Sequence, residues 1–309
     1  MQTILGSGGI IAQEASFFLS EYTDKIRQVS RKPKKVNDSD QVFPANLKIE
    51  SEVRLAVKDA DVVYLTVGLP YNTKIWREYW PAIMKNTINA CKEHNAKLVF
   101  FDNVYMYGKV DGWMTEETPN NPCSKKGEVR AQISEMLMDE VKNGNLKALI
   151  ARSADFYGPK ATNTFIGPMI FDKLDKGKKP QLLVNDKTKH SYTFTPDAAK
   201  AMVLLGNKES AYNQIWHLPT DKNVISGTEM VEMAAKIFKA ASKYSILSSA
   251  KLNLASFFSP LVKETKEMLY QNKYDYLFDS TKFEKRFFKP TNYQKGVEIV
   301  YNTQYKKTN

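Results

Sequence analysis

Residues 2 to 21 read as a short apolar run (Gln2-Thr3-Ile4-Leu5), a glycine turn (Gly6-Ser7-Gly8-Gly9) and a helix-like segment opening on Ile10-Ile11-Ala12. That order reads as strand, glycine turn, helix, the opening of a β-α unit. The glycines divide the work by chemistry. Gly6 can take the tight turn, Gly9 can let the backbone approach a pyrophosphate, and the small Ala12 can let helix and strand pack closely. The helix N-terminus offers unpaired N–H groups to an anion. An ordinary glycine-rich turn is the plain alternative, but the position after a first strand and before a helix favours a dinucleotide site on Gly6, Ser7, Gly8, Gly9 and Ile10.

The end of the second strand tests that reading. Lys25-Ile26-Arg27-Gln28-Val29 runs into Ser30-Arg31-Lys32-Pro33-Lys34-Lys35. A carboxylate there would hold a ribose 2′-hydroxyl, whereas hydroxyl and guanidinium groups suit a 2′-phosphate. The expected cofactor is therefore NADP(H) in preference to NAD(H).

Further apolar runs, Asp61 to Gly68, Lys97 to Phe101 and Leu146 to Ala151, alternate with helical patterns over Trp80 to Glu93 and Glu128 to Lys142. That alternation predicts an α/β fold, a doubly wound parallel Rossmann sheet with ligands at the carboxyl ends of its strands. The expected organisation is a dinucleotide-binding domain over residues 1–160, with returning elements near 194–205, and a smaller mixed substrate domain over 161–309. No run approaches the roughly 20 apolar residues of a membrane helix. The start of the chain lacks a signal pattern, so a cytoplasmic protein with free Cys91 and Cys123 is expected. The net charge is +11, spread in small clusters at 31–35, 176–179 and 306–307. Spread charge of this kind reads as solvated surface rather than a duplex-binding stripe. The expected partner is a small-molecule substrate, with no nucleic acid, no membrane and a homodimer left open.

Several segments in order resemble the extended short-chain dehydrogenase/reductase superfamily, in its NAD-dependent epimerase/dehydratase group. They are the glycine turn, Ala60 to Val67, Asn103-Val104-Tyr105-Met106-Tyr107-Gly108, Glu117-Thr118-Pro119 with Pro122, Arg152-Ser153-Ala154-Asp155-Phe156-Tyr157-Gly158-Pro159, Phe194 to Ala199, and Asp279 to Lys282. The resemblance implies cofactor contacts from Thr66, Val67, Gly68, Arg152 and Ser153. It also implies a tyrosine, a lysine four residues later on the same helix face, and a serine or threonine at the end of the preceding strand. This chain has Lys126, Arg130 and Asn103 at those three places.

The replacements carry different chemistry. Lys126 can act as general acid or, in its neutral form, as general base. Arg130, one helical turn away, can donate to ribose hydroxyls but positions rather than reacts. Asn103 can hold a carbonyl oxygen without exchanging a proton. Tyr105 is the phenol nearest the expected nicotinamide end and the second choice for the acid. The bland alternative makes Lys126 part of an exposed helix start and Arg130 a surface ion-pair partner. Two functions follow: an NADP(H)-dependent oxidoreductase or epimerase-like enzyme on a small carbonyl, hydroxyl or nucleotide-sugar compound, or a catalytically silent protein that senses NADP(H) or a related metabolite. Substrate contacts are expected from 68–74, from 157–166 and from the variable C-terminal region.

Overall fold

The computed structural model describes residues 1–161 and 164–306, so Lys307 of the last basic cluster and positions 162–163 of the expected substrate segment lie outside the described residues. The chain forms two compact units, the first built from Met1–Met106, Lys125–Ser153 and Ala198–Leu218. Its sheet has seven strands: β1 (Gln2–Leu5), β2 (Ile26–Ser30), β3 (Gln41–Pro44), β4 (Val62–Leu65), β5 (Lys97–Asp102), β6 (Ala148–Arg152) and β7 (Ile215–His217). They lie in the order β7-β6-β5-β4-β1-β2-β3, and every neighbouring pair is parallel. The expected doubly wound sheet is thus present, with its strand order reversing at β1. That reversal opens a crevice beyond the carboxyl ends of β1 and β4.

β1 and β4 are buried along their whole length, and in β4 (Val62-Val63-Tyr64-Leu65) this gives an unbroken apolar run rather than an alternating pattern. Helices α1 (Ile10–Leu19), α2 (Glu50–Val57), α3 (Thr73–Glu93) and α4 (Lys125–Lys142) accompany the strands. α3 starts seven residues before the expected Trp80, because Asn72 caps it by accepting from the Ile75 amide at 3.0 Å. Pro81 therefore lies inside the helix and costs it one N–H donor. β3 and α2 were not anticipated. Between sheet and helices, Leu5, Val63, Trp80, Phe100, Ile133 and Ile150 share one core. Cys91 is fully buried in that core and Cys123 is exposed, both as free thiols.

The second unit comprises Tyr107–Ser124, Ala154–Asp197 and Pro219–Asn309. It is stitched from short two-stranded pairings such as Asp155–Tyr157 with Tyr192–Phe194, and Gln181–Leu183 with Ser245–Leu247. The helix Gly227–Phe238 opens on a capping box in which Ser226 and Glu229 satisfy each other's backbone amides. Its apolar face packs with Phe171, Phe194 and Tyr293. His190 is sandwiched between the rings of Tyr192 and Tyr276, with Asp155 Oδ2 3.0 Å from Nε2 and the Gln271 carbonyl near Nδ1. Among the described residues, no helix is long and apolar enough to cross a membrane.

Candidate functional site

The glycine turn joins β1 to α1 at the switch point. Gly6 has φ +96°, and a Cβ built there would lie 2.4 Å from the Val67 Cα, so both conformation and space require glycine. The Gly6 and Ser7 amides both donate to the Val29 carbonyl, at 2.9 and 3.1 Å. Those two donors are therefore spent on β2, which leaves the first-turn amides of α1 as the donors at this turn. No side chain caps that helix, and no acidic residue occupies its first turn. Gly8 and Gly9 face open space, with no atom within 4 Å of where a Cβ would stand. The Ser7 hydroxyl is buried and makes no hydrogen bond. An uncapped helix end, an open glycine pair and an orphaned hydroxyl together fit a phosphate-bearing ligand.

Thr66 is tied to β1, its amide and hydroxyl both donating to the Leu5 carbonyl. Val67 forms the wall against Gly6, whereas Gly68 is open. At the end of β2, Ser30 is half-buried and Arg31 and Lys32 are exposed. The loop behind them is held by Asp40, which is buried and accepts from Gln28, from Ser16 and from the Val36 and Asn37 amides. That leaves the basic side chains on an ordered turn.

Lys126 and Arg130 stand on one face of α4, and both are buried, at 0% and 3% exposure. The reading of an exposed helix start is thereby corrected: α4 packs this face against α3 and the loop before it. The Lys126 Nζ donates to the Thr73 hydroxyl at 2.9 Å and sits 4.6 Å over the Tyr71 ring. Arg130 turns to Asp102, at the end of β5. Its Nε donates to Asp102 Oδ1 at 2.7 Å, and one Nη donates to the same oxygen. Its guanidinium lies 4.4 Å from the Trp80 ring centre and 5.0 Å from that of Phe100. Arg152, also buried, brings its Nε within 3.6 Å of Asp102 Oδ2, and the Ser153 amide donates to the Asp102 carbonyl. Arg130 is thus not a surface ion pair but one arm of a buried charge cluster.

Asn103 follows directly. Its amide donates to Asp102 Oδ1, and its own Oδ1 accepts from the Tyr105 amide at 3.0 Å. Tyr105 is half-buried and stacks on Trp76, with ring centres 6.2 Å apart. The structure therefore brings Lys126, Thr73, Tyr71, Trp76 and Tyr105 into one aromatic-walled region, beside the Arg130–Asp102–Arg152 cluster. Asp102 was missed in the sequence. Its signal was a lone carboxylate at the end of a buried apolar run.

The family model for the NAD dependent epimerase/dehydratase family matches residues 3–217. A search of the curated proteins returns no match. Among solved structures, a UDP-glucose 4-epimerase from Thermotoga maritima with UDP-glucose aligns over 98% of each chain, with TM-score 0.81 and 14% identity. A UDP-glucose 4-epimerase from Thermus thermophilus in complex with NAD also aligns over 98% of each chain (TM-score 0.78, 15% identity). A double mutant of dTDP-glucose 4,6-dehydratase from Streptomyces venezuelae with NAD bound aligns over 98% of this chain and 97% of its own (TM-score 0.80, 13% identity).

Proposed function

Since the chain belongs to the NAD dependent epimerase/dehydratase family, we propose that it is a nicotinamide-dinucleotide enzyme acting on a nucleotide sugar or another small carbonyl or hydroxyl compound, with Lys126 in the acid/base role. The observation that carries the reading is the uncapped N-terminus of α1 beside the open Gly8 and Gly9. When bound, the dinucleotide supplies hydride transfer. The first-turn amides of α1 from Ile10 onward hold its pyrophosphate, assisted by the Ser7 hydroxyl. Lys126 exchanges a proton with the substrate oxygen, and the Thr73 hydroxyl, already 2.9 Å from Nζ, orients it. Asp102 fixes Arg130, whose remaining amino nitrogen is left for a ribose hydroxyl. Asn103 and Tyr105 line the substrate side.

Two of the neighbouring structures named above hold NAD. This chain ends β2 on Ser30-Arg31-Lys32 with no carboxylate, which supports NADP(H) instead. Charge-assisted contacts to a 2′-phosphate give a preference of about tenfold or more. Calorimetric titration of wild type and Arg31→Ala with NADPH and NADH tests it: equal wild-type affinities remove the phosphate site. Lys126→Met should abolish turnover while leaving cofactor affinity within a few-fold. Survival of turnover in Lys126→Met with its loss in Tyr105→Phe moves the acid to Tyr105.

A second reading is favoured by one specific observation, the fixing of Arg130 by Asp102 in place of a free lysine. In that reading the chain binds NADP(H) or a related metabolite without turnover. Cofactor binding together with no turnover of any carbonyl in a broad NADPH-coupled screen would select it.

A further inference from the structure

The exposed apolar surface of the second unit is concentrated at one place. Leu254, Phe257, Phe258 and Leu261 are all exposed, the two phenylalanines at 83% each. They lie where helix Ser249–Ala255 gives way to helix Pro260–Thr265. The turn between the helices is ordered by hydrogen bonds from the Phe258 and Ser259 amides to the Ala255 carbonyl, at 3.1 and 3.0 Å. Ser259 then caps the second helix. Leu252 on one side and Met268 and Leu269 on the other are buried and anchor the hairpin. The rings are thus held out in water on a hydrogen-bonded turn, which calls for an occupant.

The charge around the tip says which. Within the hairpin, residues 249–268, Lys251, Lys263 and Lys266 are exposed, whereas the acids Glu264 and Glu267 are half-buried. A second copy of this chain is disfavoured, because a two-fold contact through the tip sets the same lysines against one another. We propose that the hairpin tip docks on an anionic lipid surface. Phe257 and Phe258, flanked by Leu254 and Leu261, enter the boundary between headgroups and acyl chains, and the lysines lie among the headgroups. The expectation of no membrane partner rested on the lack of a spanning segment, and a surface contact needs none.

The test is co-sedimentation of the full chain with vesicles of phosphatidylcholine alone and of phosphatidylcholine with phosphatidylserine. Wild type should sediment with the anionic vesicles only and be released by salt. Phe257→Ser/Phe258→Ser should abolish this, and Lys251→Ala and Lys263→Ala should each weaken it about fivefold. These exposed substitutions should leave circular dichroism and dinucleotide binding unchanged. No sedimentation of wild type, or equal sedimentation of the double phenylalanine variant, overturns the proposal. So does a wild-type dimer in analytical ultracentrifugation that the double variant dissociates, which would assign the rings to a second copy.

Discussion

Removing the Asp102 carboxylate leaves the buried Arg130 guanidinium against the Trp80 and Phe100 rings without its anion, and takes a carboxylate from the neighbourhood of the buried Arg152. Breaking a buried ion cluster from one side is far costlier than replacing all of it, so Asp102→Ala should destabilise by about 3–5 kcal/mol. Urea unfolding of the variant measures this, and a change under about 1 kcal/mol, the range of an exposed pair, would mean that the cluster is solvated. Arg130→Lys should also weaken the fold, since an ammonium cannot fork onto the carboxylate and stack on Trp80 together. The spacing of Lys126 and Arg130 on one helical face was legible in the sequence because it depends only on the helix period. Their burial was not, because it depends on α3 beginning at Thr73 and on a carboxylate from β5, both distant along the chain.

At the scale of elements, the turn between β1 and α1 separates folding from binding within three residues. Gly6→Ala places a Cβ against Val67 in a left-handed backbone and should lower the melting temperature. Gly8→Ala meets no atom and should leave melting unchanged while weakening dinucleotide binding; equal effects on both properties in the two variants would remove the division. The capping box of helix Gly227–Phe238 gives a pH signature. The Lys189 ammonium, with the Ser226 amide and hydroxyl, holds the Glu229 carboxyl down to about 2. A depressed carboxylate contributes stability that is present above its unfolded value and lost as pH falls through the folded one. Wild type should therefore lose part of its stability between about pH 4.5 and 2 that Glu229→Gln does not, by acid titration monitored with circular dichroism. Salt should shrink the difference, because the pair is half-exposed. A strand buried on both faces, such as β4, announced itself as an apolar run. β3 did not, since Gln41–Pro44 is an exposed edge segment ending in proline, and α2 is a short helix whose buried residues are only Val53, Ala56 and Val57.

For the molecule as a whole, binding and folding are linked. A dinucleotide held by the first unit alone should raise its stability by about 2.7 kcal/mol at a hundred times the dissociation constant. Differential scanning calorimetry should show a melting transition that climbs with NADPH concentration, and more steeply than with NADH if the 2′-phosphate is recognised. A transition indifferent to both would remove the dinucleotide site. The two thiols extend this from stability to motion. Cys123 is exposed, while Cys91 lies in the core of the first unit, where burial pushes its thiol up and keeps it protonated. A thiolate-seeking alkylating reagent should therefore tag Cys123 at once and Cys91 only when α3 lifts from the sheet. The mass spectrum of a timed reaction is then a clock: its second tag counts the openings of the first unit, without a probe having to be engineered into the chain.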